Sequence, residues 1–199
     1  MRNLVLLTVG AIVGVAGAAQ AATLTYSIAG FATGTLGSAA FVDEPLAFTG
    51  TAAIDPGAVD LDVPLPGYDV MVDRAAFQFG GLTVPILDEV QLSYQTVPLS
   101  DVSFFFVDTF DGGLFTGDEF GGLMSRGTTD VVGSFAGVIT DSEVMSSAAG
   151  ITTPLGGLVF DDMTLLTYTQ LVPVPVALPL LVTGLAGLLA WRRVAAMRA

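Results

Sequence analysis

The stretch VQLSYQTVPLSDVSFFFV, Val90 to Val107, decides the fold class. In its first half Val90, Leu92 and Tyr94 alternate with Gln91, Ser93 and Gln95, so one face is apolar and the other polar. That period of two belongs to a half-buried β-strand, whose successive side chains point to opposite faces. In its second half Val102 to Val107 holds Phe104, Phe105 and Phe106 in a row, apolar on both faces, which predicts a central strand covered on each side.

Working outward, the same alternation recurs. Leu24, Tyr26 and Ile28 alternate with hydroxyl residues, and a turn-rich Gly30 to Gly37 stretch follows. Leu46 to Ile54 carries Thr49 and Thr51 on one face and Phe48, Ala52 and Ile54 on the other, until Asp55-Pro56-Gly57 stops it with turn chemistry. Pro64, Pro66 and Gly67 make Asp60 to Tyr68 a loop, and Val70 to Phe79 resumes as one strand up to Gly80-Gly81. Asp108 to Gly122, rich in Gly, Asp and Phe without a clean period, reads as a long loop with at most a short strand. Val131 to Thr140, Leu158 to Phe160 and Met163 to Leu171 complete the set.

No window of helical length between residues 22 and 171 holds an apolar period of 3.6 residues. Many short strands separated by Gly and Pro turns predict an all-β fold, an antiparallel β-sandwich of jelly-roll or immunoglobulin-like type, with a β-barrel as the alternative. The strands lack the regular ten-residue spacing and paired aromatic girdles of an outer-membrane barrel.

Both ends of the chain differ from this middle. Arg2 precedes an apolar run from Leu4 to Ala19 that ends in Ala19-Gln20-Ala21, a small-x-small pattern. This is the form of a secretory signal peptide, residues 1–21, with Ala22 as the expected mature N-terminus and the Sec machinery and signal peptidase as partners. A retained N-terminal membrane helix is the competing reading.

At the other end Leu171 to Trp191 carries no formal charge for 21 residues, and Arg192, Arg193 and Arg198 follow. At about 1.5 Å per residue such a run crosses roughly 30 Å of hydrocarbon, and the Arg cluster places the C-terminus inside and the domain outside. Pro173 and Pro175 disfavour helix, so the transmembrane helix is expected over about 178–193, with an extended strip at the outer membrane face before it. A peptidase can grip an extended backbone, whereas a helix hides its carbonyl groups.

The motif Val172, Pro173, Val174, Pro175, Val176, with the apolar run and Arg cluster behind it, resembles the C-terminal sorting signals of the PEP-CTERM group, most closely the VPLPA-CTERM variant. Val174 stands where that pattern has Leu, and Val176 where it has Ala. The resemblance covers residues 172–199 only. It implies processing by an exosortase-type membrane peptidase, a final site at the cell surface or in the extracellular matrix, and association with exopolysaccharide. A permanent single-pass anchor is the alternative.

Residues 22–171 form one domain-sized segment holding all 19 acidic residues of the chain, with Arg74 and Arg126 as its only cations, a net charge of −17. So negative a domain repels a phosphate backbone, which excludes nucleic acid as a partner. The chain has no Cys, His or Lys, so it lacks disulfides, histidine-based triads and thiolate or imidazole metal sites.

Carboxylate chemistry is what is left. Acid pairs stand at Asp43-Glu44, Asp88-Glu89, Asp118-Glu119 and Asp161-Asp162, but neighbours on a strand point to opposite faces and do not make a glycosidase pair by adjacency. Asp108, Asp111, Asp118 and Glu119 are candidate calcium ligands, with a solvated acidic loop as the alternative. The expected function is non-enzymatic: an exported envelope or matrix protein whose β domain is structural or adhesive. A calcium-assisted carbohydrate-binding module comes second and a carboxylate-based glycan hydrolase third.

Overall fold

A computed structural model describes residues 22–54, 66–97, 100–112, 114–115, 117–125, 133–145 and 150–172. The expected leader at 1–21 and the tail from Pro173 onward, with its span at 178–193, lie outside these residues. Among the described residues no helix is long and apolar enough to cross a membrane.

The described chain is all-β and antiparallel. Its strands are β1 (Ala22–Leu36), β2 (Ala39–Ile54), β3 (Gly67–Val72), β4 (Arg74–Phe79), β5 (Leu82–Pro85), β6 (Glu89–Thr96), β7 (Val102–Asp111), β8 (Leu114–Phe115), β9 (Glu119–Ser125), β10 (Phe135–Met145), β11 (Ile151–Thr153) and β12 (Gly156–Leu171). They join one sheet in the order β3-β6-β7-β9-β10-β12-β1-β2-β4-β5, with β11 added on β12 and β8 on β7.

The expected sandwich of two separate sheets is therefore corrected to one continuous sheet curled into a half-barrel. The hydrogen-bonded path is unbroken because β10 pairs with both neighbours, Val138 facing Ser125 of β9 and Thr167 of β12. The curl brings β3, at one end of the path, against β2 near the other. The expected single strand Val70 to Phe79 breaks at Asp73, where the chain passes from β3 at one end of the path to β4, beside β2. Asp73 N–H donates to Thr51 O at 2.8 Å and pins that corner to β2. Such a bend is how one strand serves two packed faces.

Three further boundaries move, the first two through close backbone approach. Gly30 to Gly37 is mostly strand rather than turn: β1 slips register against β12 after Ala29 and after Thr33, and a Cβ on Gly30 or Gly34 would run into β12 carbonyl oxygens. On the partner strand these irregularities fall at Leu166 and Asp161, so Leu158–Phe160 and Met163–Leu171 are one bulged strand. Asp108 to Gly122 is largely strand as well, with β7 running on to Asp111, β8 folding back after Gly112 at φ 58°, and β9 starting at Glu119.

The concave side of the curl is the core. Alternation sends Leu24, Tyr26 and Ile28 of β1, Leu92 and Tyr94 of β6, and Phe105 and Val107 of β7 into it. Phe120 of β9 meets Phe48 at 5.1 Å, Phe77 at 5.9 Å and Phe160 at 6.4 Å between ring centroids, linking three elements on the far half of the sheet. Such ring pairs contribute about 0.5–1.5 kcal/mol each beyond their burial.

A polar tie crosses the same space. Tyr68 Oη donates to Gln170 Oε1 at 2.5 Å, Tyr168 Oη donates to that oxygen at 3.2 Å, and Gln170 Nε2 donates to Gly133 O at 3.0 Å. Burial pushes the Tyr168 hydroxyl well above its ordinary pKa, so it stays a donor.

Tyr26 is the exception to this satisfaction. Its hydroxyl is buried over Gly50 without a hydrogen-bond partner among the described residues. An unpaired buried hydroxyl costs roughly 1–3 kcal/mol. Tyr26→Phe should therefore leave stability unchanged or raise it by about 1 kcal/mol in chemical denaturation; a loss of that size would reveal a partner for the hydroxyl.

Candidate functional site

The convex face of β3, β6, β7 and β9 carries an open groove of about 500 Å³. The alternation that buries Ser103, Phe105, Val107 and Thr109 turns Phe104, Phe106, Asp108 and Phe110 outward along β7. The expectation that this strand is covered on both faces is corrected. β7 is central in the sheet, but no second layer lies on its outer face among the described residues, and Phe106 is 37% exposed.

The neighbouring strands supply the polar walls. Asp69 of β3 faces Ser93 of β6, and Ser93 faces Phe106; Gln95 faces Phe104 in the next row. Glu119 opens β9, one step beyond the Val107–Phe120 pair, which sets it beside Asp108. Phe115 of β8 folds back to meet Phe110 edge-on at 6.1 Å and closes one end. Gly121 of β9 lies under this wall: a Cβ there would run into the Phe105 carbonyl oxygen and the Phe106 ring.

Three carboxylates thus share one groove with aromatic walls and, among the described residues, no cation lining it. Partial burial first, then repulsion from Glu119 and Asp69, pushes the Asp108 pKa up from 3.8 to about 6. The sign follows from linkage. The protonated form is favoured by folding, so this contribution is full below pH 4 and is lost as pH rises through about 6. Asp108→Asn should raise stability near neutral pH by about 1 kcal/mol, well under the full value of the shift because the groove is open to screening solvent. It should also flatten the decline in melting temperature between pH 4 and pH 7; an unchanged pH profile would contradict the assignment.

The expected calcium ligands separate. Asp118 is fully buried on the core side, where its Oδ2 accepts Phe160 N–H at 2.8 Å, while its neighbour Glu119 points to the groove. Asp111 is exposed at the end of β7. Of the four, only Asp108 and Glu119 line the groove, and among the described residues no group of three acids is arranged to hold a metal ion.

The other acid pairs serve turns and bulges. Asp43 takes a positive φ of 51° and its N–H donates to Thr33 Oγ1 at 3.1 Å, and Asp88 Oδ2 accepts Thr152 N–H at 2.5 Å. Asp161 and Asp162 are both exposed at the β12 bulge.

Of the sorting motif only Val172 is described. Its N–H donates to Ser134 Oγ at 2.8 Å, and Ser134 Oγ donates back to Val172 O at 3.2 Å. Pro173, Val174, Pro175 and Val176, the Arg192, Arg193 and Arg198 cluster, and Ala19 and Ala21 lie outside the described residues. Ala22 opens β1 opposite Ile54, and three residues later Thr25 faces Leu171, so the two ends of the domain leave the sheet side by side.

No protein-family model matches the chain, and comparison with curated proteins and with solved structures returns no match.

Proposed function

We propose that this is an exported envelope or matrix protein whose β domain, non-enzymatic and structural or adhesive, is delivered by a leader at 1–21 and a sorting tail at 172–199. The observation that carries the proposal is the tail itself: Val172, Pro173, Val174, Pro175 and Val176 standing directly before an uncharged membrane-length run and the Arg192, Arg193 and Arg198 cluster. An exosortase-type peptidase is the partner that would cut it, after an N-out, C-in precursor has formed in the inner membrane.

The fold is consistent with delivery of this kind. The last strand of the domain ends at Leu171, one residue before the motif, and β1 begins beside it, so leader and tail can approach one membrane from the same end of the sheet. The test is the mass and location of the protein in its native host. Protein starting at Ala22, shortened at its C-terminus and found outside the inner membrane supports the proposal; full tail retention in the membrane supports a permanent anchor instead.

The convex groove favours an adhesive role over a purely structural one, with a carbohydrate as the second reading. Flat aromatic faces, carboxylate acceptors and the Ser93 and Gln95 side chains suit a polyol, and an open groove admits a unit within a long polymer.

A further inference from the structure

We infer that the convex groove binds an amine-bearing sugar unit, with its ammonium group between Asp108 and Glu119, Asp69 on the opposite wall, and its carbon face on Phe106. The inference rests on the adhesive reading above and adds the class of ligand.

Charge complementarity selects the cation. Asp69 comes from β3, Asp108 from β7 and Glu119 from β9, while β6 between them contributes only the neutral Ser93 and Gln95. Three like charges line one groove with no cation beside them among the described residues, in a domain of net charge −17. A neutral sugar can donate hydroxyl hydrogens here but leaves their mutual repulsion in place. An ammonium group offsets it directly, and hydrogen bonds from a charged donor to carboxylate are stronger than those from a hydroxyl. A carboxylated or sulfated polymer would meet repulsion from the same three groups.

Aromatic placement selects what carries the amine. Phe104, Phe106 and Phe110 project from one face of one strand, and Phe115 stands edge-on to Phe110. The negative face of an aromatic ring attracts the slightly positive C–H face of a sugar as well as an ammonium group close by. Ser93 and Gln95 are left to pair with ring hydroxyls, a task that a lysine side chain, with no polar group along its stem, would not fulfil.

The experiment is calorimetric titration of the full chain, in neutral detergent near neutral pH, with a glucosamine tetrasaccharide and with its fully N-acetylated counterpart. The two share one backbone and differ in charge. The expected result is binding of the glucosamine oligomer at least about tenfold tighter, weakening as salt rises from about 50 to about 300 mM. Asp108→Asn with Glu119→Gln should weaken it about tenfold, and so should Phe106→Ala. Asp43→Asn with Asp161→Asn removes the same charge from exposed sites away from the groove and should leave affinity unchanged.

Equal affinity for the two oligomers overturns the inference in favour of a neutral glycan, and absence of binding to either overturns it outright. Equal weakening by the two double variants shows attraction by overall charge rather than by the groove, which also overturns it. None of these outcomes alters the mass or location of the exported protein, so failure here and failure of the delivery reading are told apart.

Discussion

Phe120→Ala should lower the stability of the domain by about 3 to 5 kcal/mol, the range for removing a buried aromatic side chain from a close-packed core. The ring is 1% exposed and touches Phe48 of β2, Phe77 of β4 and Phe160 of β12, while its own strand lies four positions from β2 and five from β4 along the sheet. Its loss opens a cavity at the point where the two halves of the curl meet. In a domain of this size the change should appear as a melting temperature lower by on the order of 10 °C. Phe106→Ala, a ring of the same size on the convex face, should cost under about 1 kcal/mol, since Phe106 already meets solvent. Comparable losses for the two would mean that the convex face is covered in the folded protein, contrary to the half-barrel.

Replacing Pro173 and Pro175 together by Ala should block processing and leave uncut precursor in the inner membrane. Each Pro costs a helix interior about 3 kcal/mol relative to Ala, so the two hold the strip extended against an apolar run that otherwise favours helix. With Ala at both positions, helix can spread outward toward Val172 and withdraw the backbone from the peptidase. Folding of residues 22–171 should not change, because both prolines lie beyond the last strand, which ends at Leu171. Gel mobility and fractionation of the two forms in the native host make the comparison. If the proline variant is shortened and located like the wild type, the strip is not what the peptidase recognises.

What was legible in the sequence is what a single strand can show. Val90, Leu92 and Tyr94 alternate cleanly because β6 has one wet face and one dry face, and all three are buried as the period requires. The run Phe104-Phe105-Phe106 misleads about layers, because two of its rings line an open groove and apolar residues alone do not tell a covered face from a ligand-facing one. Asp108 to Gly122 misleads about strands. Its glycines resemble turn formers, yet Gly121 sits inside β9, where the Phe105 carbonyl oxygen and the Phe106 ring occupy the space of a Cβ.

The groove itself depends on register, which no single stretch contains. Asp69 lies at the edge of an expected loop, 39 residues before Asp108 and 50 before Glu119, and only pairing of β3 with β6, β6 with β7 and β7 with β9 brings the three together. Adjacent acids are the more visible pattern in the sequence, but adjacency on a strand separates them: Asp118 serves the core and Glu119 the groove. The missing second sheet has a similar origin. Sandwich and half-barrel share strand count, alternation and turn chemistry, and they differ in whether β10 bridges β9 and β12.

The central claim, an exported β domain released from a sorting tail, is tested most directly by the intact mass of the protein recovered from outside the inner membrane of its native host. The account predicts a chain beginning at Ala22 and lacking Arg192, Arg193 and Arg198, cut within or close to Val172 to Val176. A chain that retains these arginines and is found only in the inner membrane would contradict it and establish a permanent single-pass anchor.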